Sequence, residues 1–332
     1  MREALWYEKL ADRQTACGLC PHRCRLQPGK RGICRVRYNE GGVLYTRNYG
    51  QCSPLALDPI EKKPLYHFFP GSLILSVGTV GCNFKCRFCQ NHELAHGDPF
   101  LYRKEPETLA ALAKEHQRNG SVGIAYTYSE PIVWYEFIKE TAELIQAEGL
   151  VNVLVTNGFI EEEPLAALLP HIDALNIDVK GFSQKFYREM VKGDYLPVLR
   201  TAEQAYKAGK HVEITTLLIP GLNDQEEEIR QLVGWLAGKL GPEVPLHFSR
   251  YVPRYQLDLP PTPAKTLLKA KEIARERLHY VYLGNAPELK ESNTYCPECK
   301  EPVIERTGYG IRIRGLAGNR CAYCGAQLNI IC

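Results

Sequence analysis

The stretch LILSVGTVGCNFKCRFCQNH, residues 73–92, joins a short apolar run to a loop that carries three cysteines. Residues 73–79 have the length and aliphatic content of a buried strand, and Gly81 with the polar residues after it ends the apolar run. Cys82, Cys86 and Cys89 then follow within eight residues, and no fourth cysteine lies nearby. A strand that leads directly into a cysteine loop is the starting point for interpreting the rest of the chain.

From residue 72 onward, short apolar runs alternate with longer amphipathic segments. The further predicted strands cover 122–128, 151–157, 174–180, 211–219, 245–251 and 279–284. The predicted helices cover 105–119, 131–148, 161–169, 197–209, 224–239 and 263–276. Strands that are repeatedly separated by helices indicate right-handed βαβ units and a parallel sheet. Because no GxGxxG follows the first strand, six or seven such units fit a complete or partial (β/α) barrel better than two Rossmann halves.

Composition and charge narrow the classes of protein. The chain has 332 residues, of which 45% are hydrophobic and 24% charged, which is ample for a buried core. The formal net charge of +3 is too small to indicate a nucleic-acid or membrane partner by itself. No apolar run approaches the roughly 20 residues that cross a bilayer, and the first residues are polar. We therefore expect a soluble, cytoplasmic protein with no membrane partner.

Three regions are predicted. Glycines and prolines interrupt every apolar run in residues 1–70, which we interpret as a cysteine-rich module with a connector. Residues 71–290 form the barrel, and residues 291–332 form a metal-binding ribbon. Thirteen cysteines occur in the chain, and most fall into three close groups that favour metal binding over disulfides.

Polar residues follow the predicted strands where a barrel carries its chemistry, at the carboxyl ends. Together with the cysteine loop they are expected to outline one pocket, and they include Ser129, Glu130, Thr156, Asn157, Asp178, Lys180, Asn223, Arg250, Tyr251 and Asn285. Each has an ordinary structural alternative. Glu130 could stabilise the start of the next helix, and Asp178 and Lys180 could form a structural ion pair.

The three cysteines of the loop leave a metal centre incomplete. Structural zinc sites normally have four protein ligands, whereas a four-iron cluster held by three cysteines has one iron free for a substrate or cofactor. The alternative is a structural site that His92 or a distant cysteine completes.

The loop resembles the CxxxCxφC signature of radical S-adenosylmethionine (SAM) enzymes, with Phe88 as the aromatic residue before the last cysteine. The resemblance is most specific to the radical SAM enzymes of the AmmeMemoRadiSam system, which are relatives of the pyruvate formate-lyase activating enzymes. It covers nearly the whole chain and rests on LDPIEKKPLYHFFPG (57–71), CNFKCRFCQN (82–91), YTYSEP (126–131) and TYCPEC with CAYCG (294–325). It implies a partial (β/α)6-type TIM barrel with a small module at each end.

The resemblance also implies roles for single residues. Cys82, Cys86 and Cys89 would hold a [4Fe–4S] cluster whose fourth iron chelates SAM. Glu130 stands where the family's GGE motif ends, so its carboxylate would contact the SAM ammonium, although YSE replaces GGE here. Asn157, Asp178 and Lys180 match strand-end positions that line the SAM and substrate cavity in activating-enzyme relatives. Ser129, which stands where the motif has a glycine, is a further candidate for cofactor binding. A cluster of this kind can supply an electron at very low potential, and SAM then yields a 5′-deoxyadenosyl radical that abstracts hydrogen.

The C-terminal cysteines form two CxxC knuckles, CPEC at 296–299 and CAYC at 321–324. This is typical of a zinc ribbon or rubredoxin-like module, in which Cys296, Cys299, Cys321 and Cys324 close one tetrahedral site. A closed tetrathiolate favours structural zinc over iron.

The N-terminal cysteines, Cys17, Cys20, Cys24 and Cys34, also supply four sulfurs. Both zinc and an auxiliary iron–sulfur cluster accept four thiolates, so the spacing leaves the two open, and His22 could replace one ligand. Residues 17–37 carry six basic residues and no acidic one, a pattern that also fits an RNA partner. The low net charge of the whole chain does not favour RNA.

The leading hypothesis is a radical SAM enzyme that abstracts hydrogen from an unidentified substrate. Its expected partners are an electron donor such as flavodoxin or ferredoxin, and Memo-type proteins of the same system. The alternatives are an activase of a glycyl radical enzyme, an RNA-modifying radical SAM enzyme, and a non-catalytic metal-binding interaction protein.

Overall fold

The computed structural model describes residues 1–332, and the chain begins with short antiparallel strands. They form two three-stranded sheets, in the orders β1-β6-β5 and β2-β3-β4, from β1 (Arg2–Glu3), β2 (Tyr7–Lys9), β3 (Thr15–Cys17), β4 (Arg25–Leu26), β5 (Arg37–Glu40) and β6 (Val43–Thr46). Gly41 and Gly42 both have positive φ, as a two-residue turn between antiparallel strands requires. A seventh strand, β7 (Gln51–Cys52), leads into the barrel.

An eight-stranded sheet forms the centre of the molecule. Its order is β8-β9-β11-β12-β13-β14-β15-β16, from β8 (Ala56–Pro59), β9 (Leu73–Val77), β11 (Ser121–Tyr126), β12 (Val151–Thr156), β13 (Ala174–Asp178), β14 (His211–Leu218), β15 (Leu246–Arg250) and β16 (Val281–Gly284); the short β10 (Tyr102–Arg103) pairs with β7 instead. All neighbouring pairs from β9 to β16 are parallel, and β8 is antiparallel to β9. Because β8 and β16 remain edges, the barrel is partial, as predicted.

Helices connect the parallel strands. They are α1 (His92–His96), α2 (Pro106–Gln117), α3 (Tyr135–Ala147), α4 (Glu162–Leu168), α5 (Gln184–Phe186), α6 (Leu196–Lys207), α7 (Glu226–Lys239) and α8 (Ala264–Arg275). In α3 the fully buried residues Tyr135, Ile138, Ala142 and Ile145 recur at helical spacing, which gives one apolar stripe against the core. Every strand and helix predicted between residues 73 and 284 is present. The segment predicted at 131–148 starts as a 3-10 helix, Pro131–Trp134.

The segment of residues 57–71 covers the floor of the barrel, at the amino ends of the strands. Ile60, Leu65 and Phe68 are buried against residues of four barrel strands, Ile74, Ala125, Val153 and Ala174. The strand β8 belongs to this segment, so the sheet begins within the region predicted as a connector. The barrel is thereby closed at the end opposite its carboxyl-end loops.

The C-terminal ribbon packs beneath this floor. It contains β17 (Thr294–Tyr295), β18 (Pro302–Thr307), β19 (Gly310–Ile313), β20 (Leu316–Ala317) and β21 (Arg320–Cys321). The backbone N–H of Phe69 donates to the carbonyl of Ile331 at 2.7 Å, and the N–H of Ile331 donates to the carbonyl of His67 at 2.8 Å. The buried guanidinium of Arg306 donates to the carbonyl of Tyr66 at 2.7 Å. No helix of the chain is both long and apolar enough to span a bilayer.

Candidate active site at the carboxyl ends of the strands

The cysteine loop lies directly after β9 and is anchored by its backbone. The N–H groups of Lys85 and Arg87 donate to the carbonyls of Val191 and Met190 at 2.8 and 3.1 Å, and the carbonyl of Arg87 accepts from Gln256 N–H at 2.9 Å. Cys86 is buried, while Cys82 and Cys89 are partly buried. The loop is therefore held by the segment after β13 and by the loop after β15.

Asn157, at the end of β12, contacts the first cysteine. Its Nδ2 lies 3.7 Å from the Sγ of Cys82 and donates to the Oδ1 of Asn83 at 2.9 Å. The Nδ2 of Asn83 in turn donates to the carbonyl of Phe159 at 2.8 Å. An amide N–H directed at a cysteine sulfur stabilises the thiolate and tunes a metal centre bound to it.

Burial dominates the electrostatics of the three thiols and keeps them protonated until a metal binds. Burial, with a smaller contribution from the Glu130 carboxylate, raises the pKa of Cys82 well above its ordinary value. Burial also raises the pKa of Cys86 to about 12, against the opposing charge of Lys180. These thiols are thus protonated at neutral pH in the metal-free chain, and metal binding releases their protons.

The spacing of the three sulfurs fits a cluster better than a single ion. The C-terminal cysteines are the one group of possible ligands whose atoms all lie within 4.8 Å of one another. The sulfurs of Cys82, Cys86 and Cys89 do not all lie within this distance of one another, as expected where each thiolate binds a different iron of one cluster.

Glu130 is buried at the end of β11 and accepts three hydrogen bonds. Its Oε1 accepts from the Oγ1 of Thr156 at 2.6 Å and from Ile132 N–H at 3.1 Å, and its Oε2 accepts from Asn157 N–H at 2.8 Å. Burial raises its pKa to about 7, although these hydrogen bonds oppose the shift. Glu130 therefore starts the following 3-10 helix, as its structural alternative predicted, and also joins β11 to β12. Its Oε2 retains acceptor capacity.

Ser129 and Tyr128 occupy the positions of the two glycines in the GGE motif. Tyr128 has a φ of +69°, a conformation that glycine adopts readily and that other residues rarely adopt. The hydroxyl of Ser129 is buried and makes no hydrogen bond within the chain. An unpaired buried hydroxyl beside the cysteine loop fits a polar ligand such as the amino-acid part of SAM.

Asp178 and Lys180, at the end of β13, form an ion pair with an N–O distance of 2.7 Å. Burial acts to lower the pKa of Lys180, but attraction to Asp178 and Cys86 outweighs it and raises the pKa above the ordinary value. The structural ion pair considered as an alternative is thus present. It also lies beside the cysteine loop, where a fixed positive charge offsets thiolate charge.

Sequence reasoning missed a buried ionic cluster inside the barrel. The carboxylate of Asp58 accepts hydrogen bonds from Lys63 Nζ at 2.6 Å and from the hydroxyl of Tyr128 at 2.7 Å. The ammonium of Lys63 also lies 4.7 Å from the centre of the Tyr128 ring. The only hint of this cluster in the sequence was that Asp58 and Lys63 lie in the stretch 57–71 and Tyr128 lies in YTYSEP, both of which carry the family resemblance.

The four C-terminal sulfurs form a compact site. Cys296 and Cys324 have an S–S distance of 3.6 Å, and Cys299 and Cys321 one of 3.7 Å. A tetrahedral metal with bonds of 2.3 Å to sulfur requires S–S distances of about 3.8 Å. The arrangement therefore fits one tetrahedral ion, which zinc and iron both satisfy.

The N-terminal cysteines surround a different kind of space. Cys17, Cys20, Cys24 and Cys34 all line one small cavity, together with Leu19, His22, Gly32, Ile33, Arg37, Asn83 and Val133. The Nε2 of His22 lies 2.7 Å from the carbonyl oxygen of Asn83, so this ring nitrogen forms a hydrogen bond with the central cysteine loop.

Comparisons with known proteins agree with this geometry. The model of the radical SAM superfamily matches residues 76–233. The chain is 44% identical to an uncharacterized protein of Methanocaldococcus jannaschii, over 100% of both chains. The chain belongs to the radical SAM superfamily.

More distant radical SAM relatives have established activities. A pyruvate formate-lyase 1-activating enzyme of Escherichia coli is 26% identical over 46% of this chain and 63% of its own length. A GTP 3′,8-cyclase of Haemophilus influenzae is 27% identical over 54% of this chain and 52% of its own length, so the match spans only about half of that enzyme. These relatives support an enzyme, and membership of the superfamily implies a [4Fe–4S] cluster and SAM.

A solved structure confirms the fold. Streptococcus suis SuiB bound to S-adenosylmethionine superimposes with a TM-score of 0.51 and 15% identity, over 61% of this chain and 48% of that chain. At this identity the likeness concerns the arrangement of the sheet and helices alone.

Proposed function

We propose that this radical SAM enzyme binds its [4Fe–4S] cluster through Cys82, Cys86 and Cys89 and takes hydrogen from a substrate at the open end of the barrel. When bound, the cluster supplies the electron that cleaves SAM reductively to a 5′-deoxyadenosyl radical. The observation that carries the proposal is the meeting of the three-cysteine loop with Asn157 and Lys180 at the carboxyl ends of the strands.

The surrounding side chains have complementary roles in this proposal. Asn157 directs an amide N–H at the Cys82 sulfur, and Lys180 places a positive charge next to Cys86. Ser129 and the free acceptor position of Glu130 bind the amino-acid part of SAM. Cys86 and Glu130 are buried, and keeping water from the reacting groups would protect a reactive radical from side reactions.

We also propose that the protein acts within the AmmeMemoRadiSam system, with Memo-type partners and a flavodoxin or ferredoxin as electron donor. The support is the resemblance of four stretches of the sequence to this family, and each stretch lies in or against the same barrel. The first covers the barrel floor, the second binds the cluster, the third carries Tyr128 and Glu130, and the fourth forms the ribbon below the floor.

A second candidate is an activase that takes hydrogen from a backbone glycine of a partner enzyme. The similarity to the pyruvate formate-lyase 1-activating enzyme favours it. The two candidates differ in the protein that stimulates SAM cleavage, a Memo-type protein or a glycyl radical enzyme of the same organism. An organic radical on the added partner, seen by electron paramagnetic resonance (EPR), supports the activase.

The arrangement of the basic residues does not favour an RNA substrate. Arg23, Arg35 and Arg37 pair with Glu161, Asp98 and Glu136. In the ribbon, Arg306 is buried and Arg314 pairs with Glu305. Five basic residues of these two regions are thus buried or paired with carboxylates of the chain itself.

The decisive experiment is EPR of the reduced, anaerobically prepared protein with and without SAM, combined with detection of 5′-deoxyadenosine. We expect SAM to shift the cluster signal, and Cys86→Ala to abolish both the shift and the product. Cys52→Ala is the matched control, because Cys52 is a buried thiol outside the three cysteine groups. A signal that ignores SAM, or a central loop that contains only zinc, would show that the proposal is wrong.

A further inference from the structure

We propose that Cys17, Cys20, Cys24 and Cys34 hold a second, four-iron cluster that passes single electrons to the cluster of the central loop. The inference rests on the proposed function for the relay step. The existence of the second cluster stands on the geometry of the N-terminal region alone.

The sulfur spacing argues for a cluster over a single ion. A mononuclear tetrathiolate brings its sulfurs to about 3.8 Å from one another. The C-terminal cysteines meet this requirement, with all ligand atoms within 4.8 Å, but the N-terminal set does not. In a four-iron cluster each cysteine binds a different iron, so the four sulfurs surround a larger body.

The lining of this cavity suits such a body. The four cysteines line it together with the apolar residues Leu19, Ile33 and Val133. Cys17 and Cys34 are buried, and Cys20 and Cys24 are partly buried. A single zinc ion would require the four cysteines to collapse toward one point, whereas a four-iron cluster fits cysteines spread around a cavity.

Arg37 provides an independent reason for an anionic occupant. The side chain is 2% exposed and lines the cavity. Its Nη1 donates to Glu136 at 2.7 Å, but its Nε and Nη2 have no hydrogen-bond partner. Buried guanidinium N–H groups without acceptors are costly. Thiolates and inorganic sulfides of a cluster would accept these bonds and match the charge.

One residue connects this cavity to the central loop. Asn83 lines the cavity, its carbonyl oxygen lies 2.7 Å from the Nε2 of His22, and its side chain accepts from Asn157. Asn157 Nδ2 in turn lies 3.7 Å from the Cys82 sulfur. The backbone also packs closely here, since a Cβ added at Gly81 would lie 2.8 Å from the carbonyl oxygen of Cys34.

The electron transfer is balanced without any bond change. A reduced flavodoxin or ferredoxin loses one electron to the N-terminal cluster, which then returns to its oxidised form as the central cluster is reduced. Arg25, Lys30 and Arg31 are exposed around the N-terminal cysteines, and positive surface charge speeds association with an acidic donor protein.

Metal and sulfide analysis of the full chain tests for the second cluster. After anaerobic reconstitution we expect about eight irons and eight sulfides per chain in the native protein and in Cys52→Ala. The triple variant Cys82→Ala/Cys86→Ala/Cys89→Ala, which leaves the N-terminal cysteines intact, should keep about four of each. If this variant contains no sulfide and binds zinc at the N-terminal cysteines, the second cluster is refuted, whatever the central loop does with SAM.

The relay is tested by comparing two electron donors. The double variant Cys20→Ala/Cys24→Ala should lose SAM cleavage driven by reduced flavodoxin but retain cleavage driven by dithionite, which is small enough to reach the central cluster directly. Retention with dithionite shows that the variant is folded and that the central site is intact. Equal losses with both donors, or full activity with flavodoxin, would overturn the relay.

Discussion

The side chain of Tyr128 enters the barrel interior from a backbone conformation that costs a non-glycine residue about 1–2 kcal/mol. Its hydroxyl donates to Asp58, and its ring contacts the ammonium of Lys63. These contacts compensate for the strained backbone. The replacement of glycine by tyrosine in this motif is therefore coupled to Asp58 and Lys63 of the floor segment.

This coupling predicts the stabilities of two variants. Tyr128→Phe loses one hydrogen bond and should lower the free energy of unfolding by about 1 kcal/mol. Tyr128→Gly relieves the backbone but removes the hydrogen bond together with the half-buried ring and its contact with Lys63, so it should be less stable than Tyr128→Phe. Denaturant unfolding under anaerobic conditions measures both. Tyr7→Phe, near the surface, is the control, and a Tyr128→Gly variant as stable as the native protein would contradict the argument.

Asn157 is predicted to tune the central cluster through its amide. Asn157→Ala removes the N–H directed at Cys82, and loss of such an outer contact typically reduces metal affinity or activity about 10–100-fold. The reduction potential should also become more negative, because N–H groups near sulfur stabilise the reduced cluster. Redox titration followed by EPR measures the shift. The surface variant Asn119→Ala should leave it unchanged, and an unaltered potential in Asn157→Ala would exclude this role.

At the scale of elements, local pattern predicted the barrel strands but not the floor. The strand β9 and the helix α3 have strong periodic apolar patterns, so each could be located from the sequence. The strand β8 has only four residues and includes Pro59, and it exists because it pairs with β9. Secondary structure that depends on a distant partner gives little local signal.

Residues of the candidate active site also differ in whether they are close in sequence or meet only in the folded chain. Cys82, Cys86 and Cys89 are close in sequence, so their spacing was informative. Asn83 and Asn157 meet across 74 residues, and Arg37 and Glu136 meet across 99. Such pairs become visible only once the fold brings β12 and α3 against the N-terminal region.

Loss of the metal from the C-terminal ribbon should destabilise the ribbon and the adjoining floor but not the rest of the barrel. Cys299→Ser/Cys324→Ser removes two ligands of the compact C-terminal site, and metal binding there contributes to folding. Hydrogen exchange should speed up in residues 294–331 and in the floor residues 66–71 that bond to them. SAM binding at the opposite end of the barrel should be retained. Cys332→Ser is the control, and loss of SAM binding in the double variant would contradict this separation of the two ends.

At the scale of the whole molecule, His67 joins three parts of the chain. Its ring nitrogens lie 2.7 Å from the carbonyl oxygen of Asn329 in the ribbon and 2.7 Å from the hydroxyl of Tyr282 in β16. Its backbone N–H donates to Glu213 in β14 at 2.7 Å. The residue is fully buried, so protonating it would disturb the floor, the barrel and the ribbon together.

The pH dependence of unfolding should report this junction. Burial, only partly opposed by attraction to Glu213, lowers the pKa of His67 to about 3 in the folded protein. The unfolded chain takes up this proton near pH 6.5, so below that pH the unfolded state binds more protons and stability falls by about 1.4 kcal/mol per pH unit. In denaturant unfolding between about pH 6.5 and 5, His67→Gln should therefore show a shallower decline than the native protein. Burial acts to raise the pKa of Glu213, but the adjacent His211 and His247 outweigh it and hold this pKa below its ordinary value. Glu213 therefore does not contribute to the slope in this pH window. The exposed His279→Gln should keep the native slope, and a native slope in His67→Gln would show that this histidine does not couple protonation to folding.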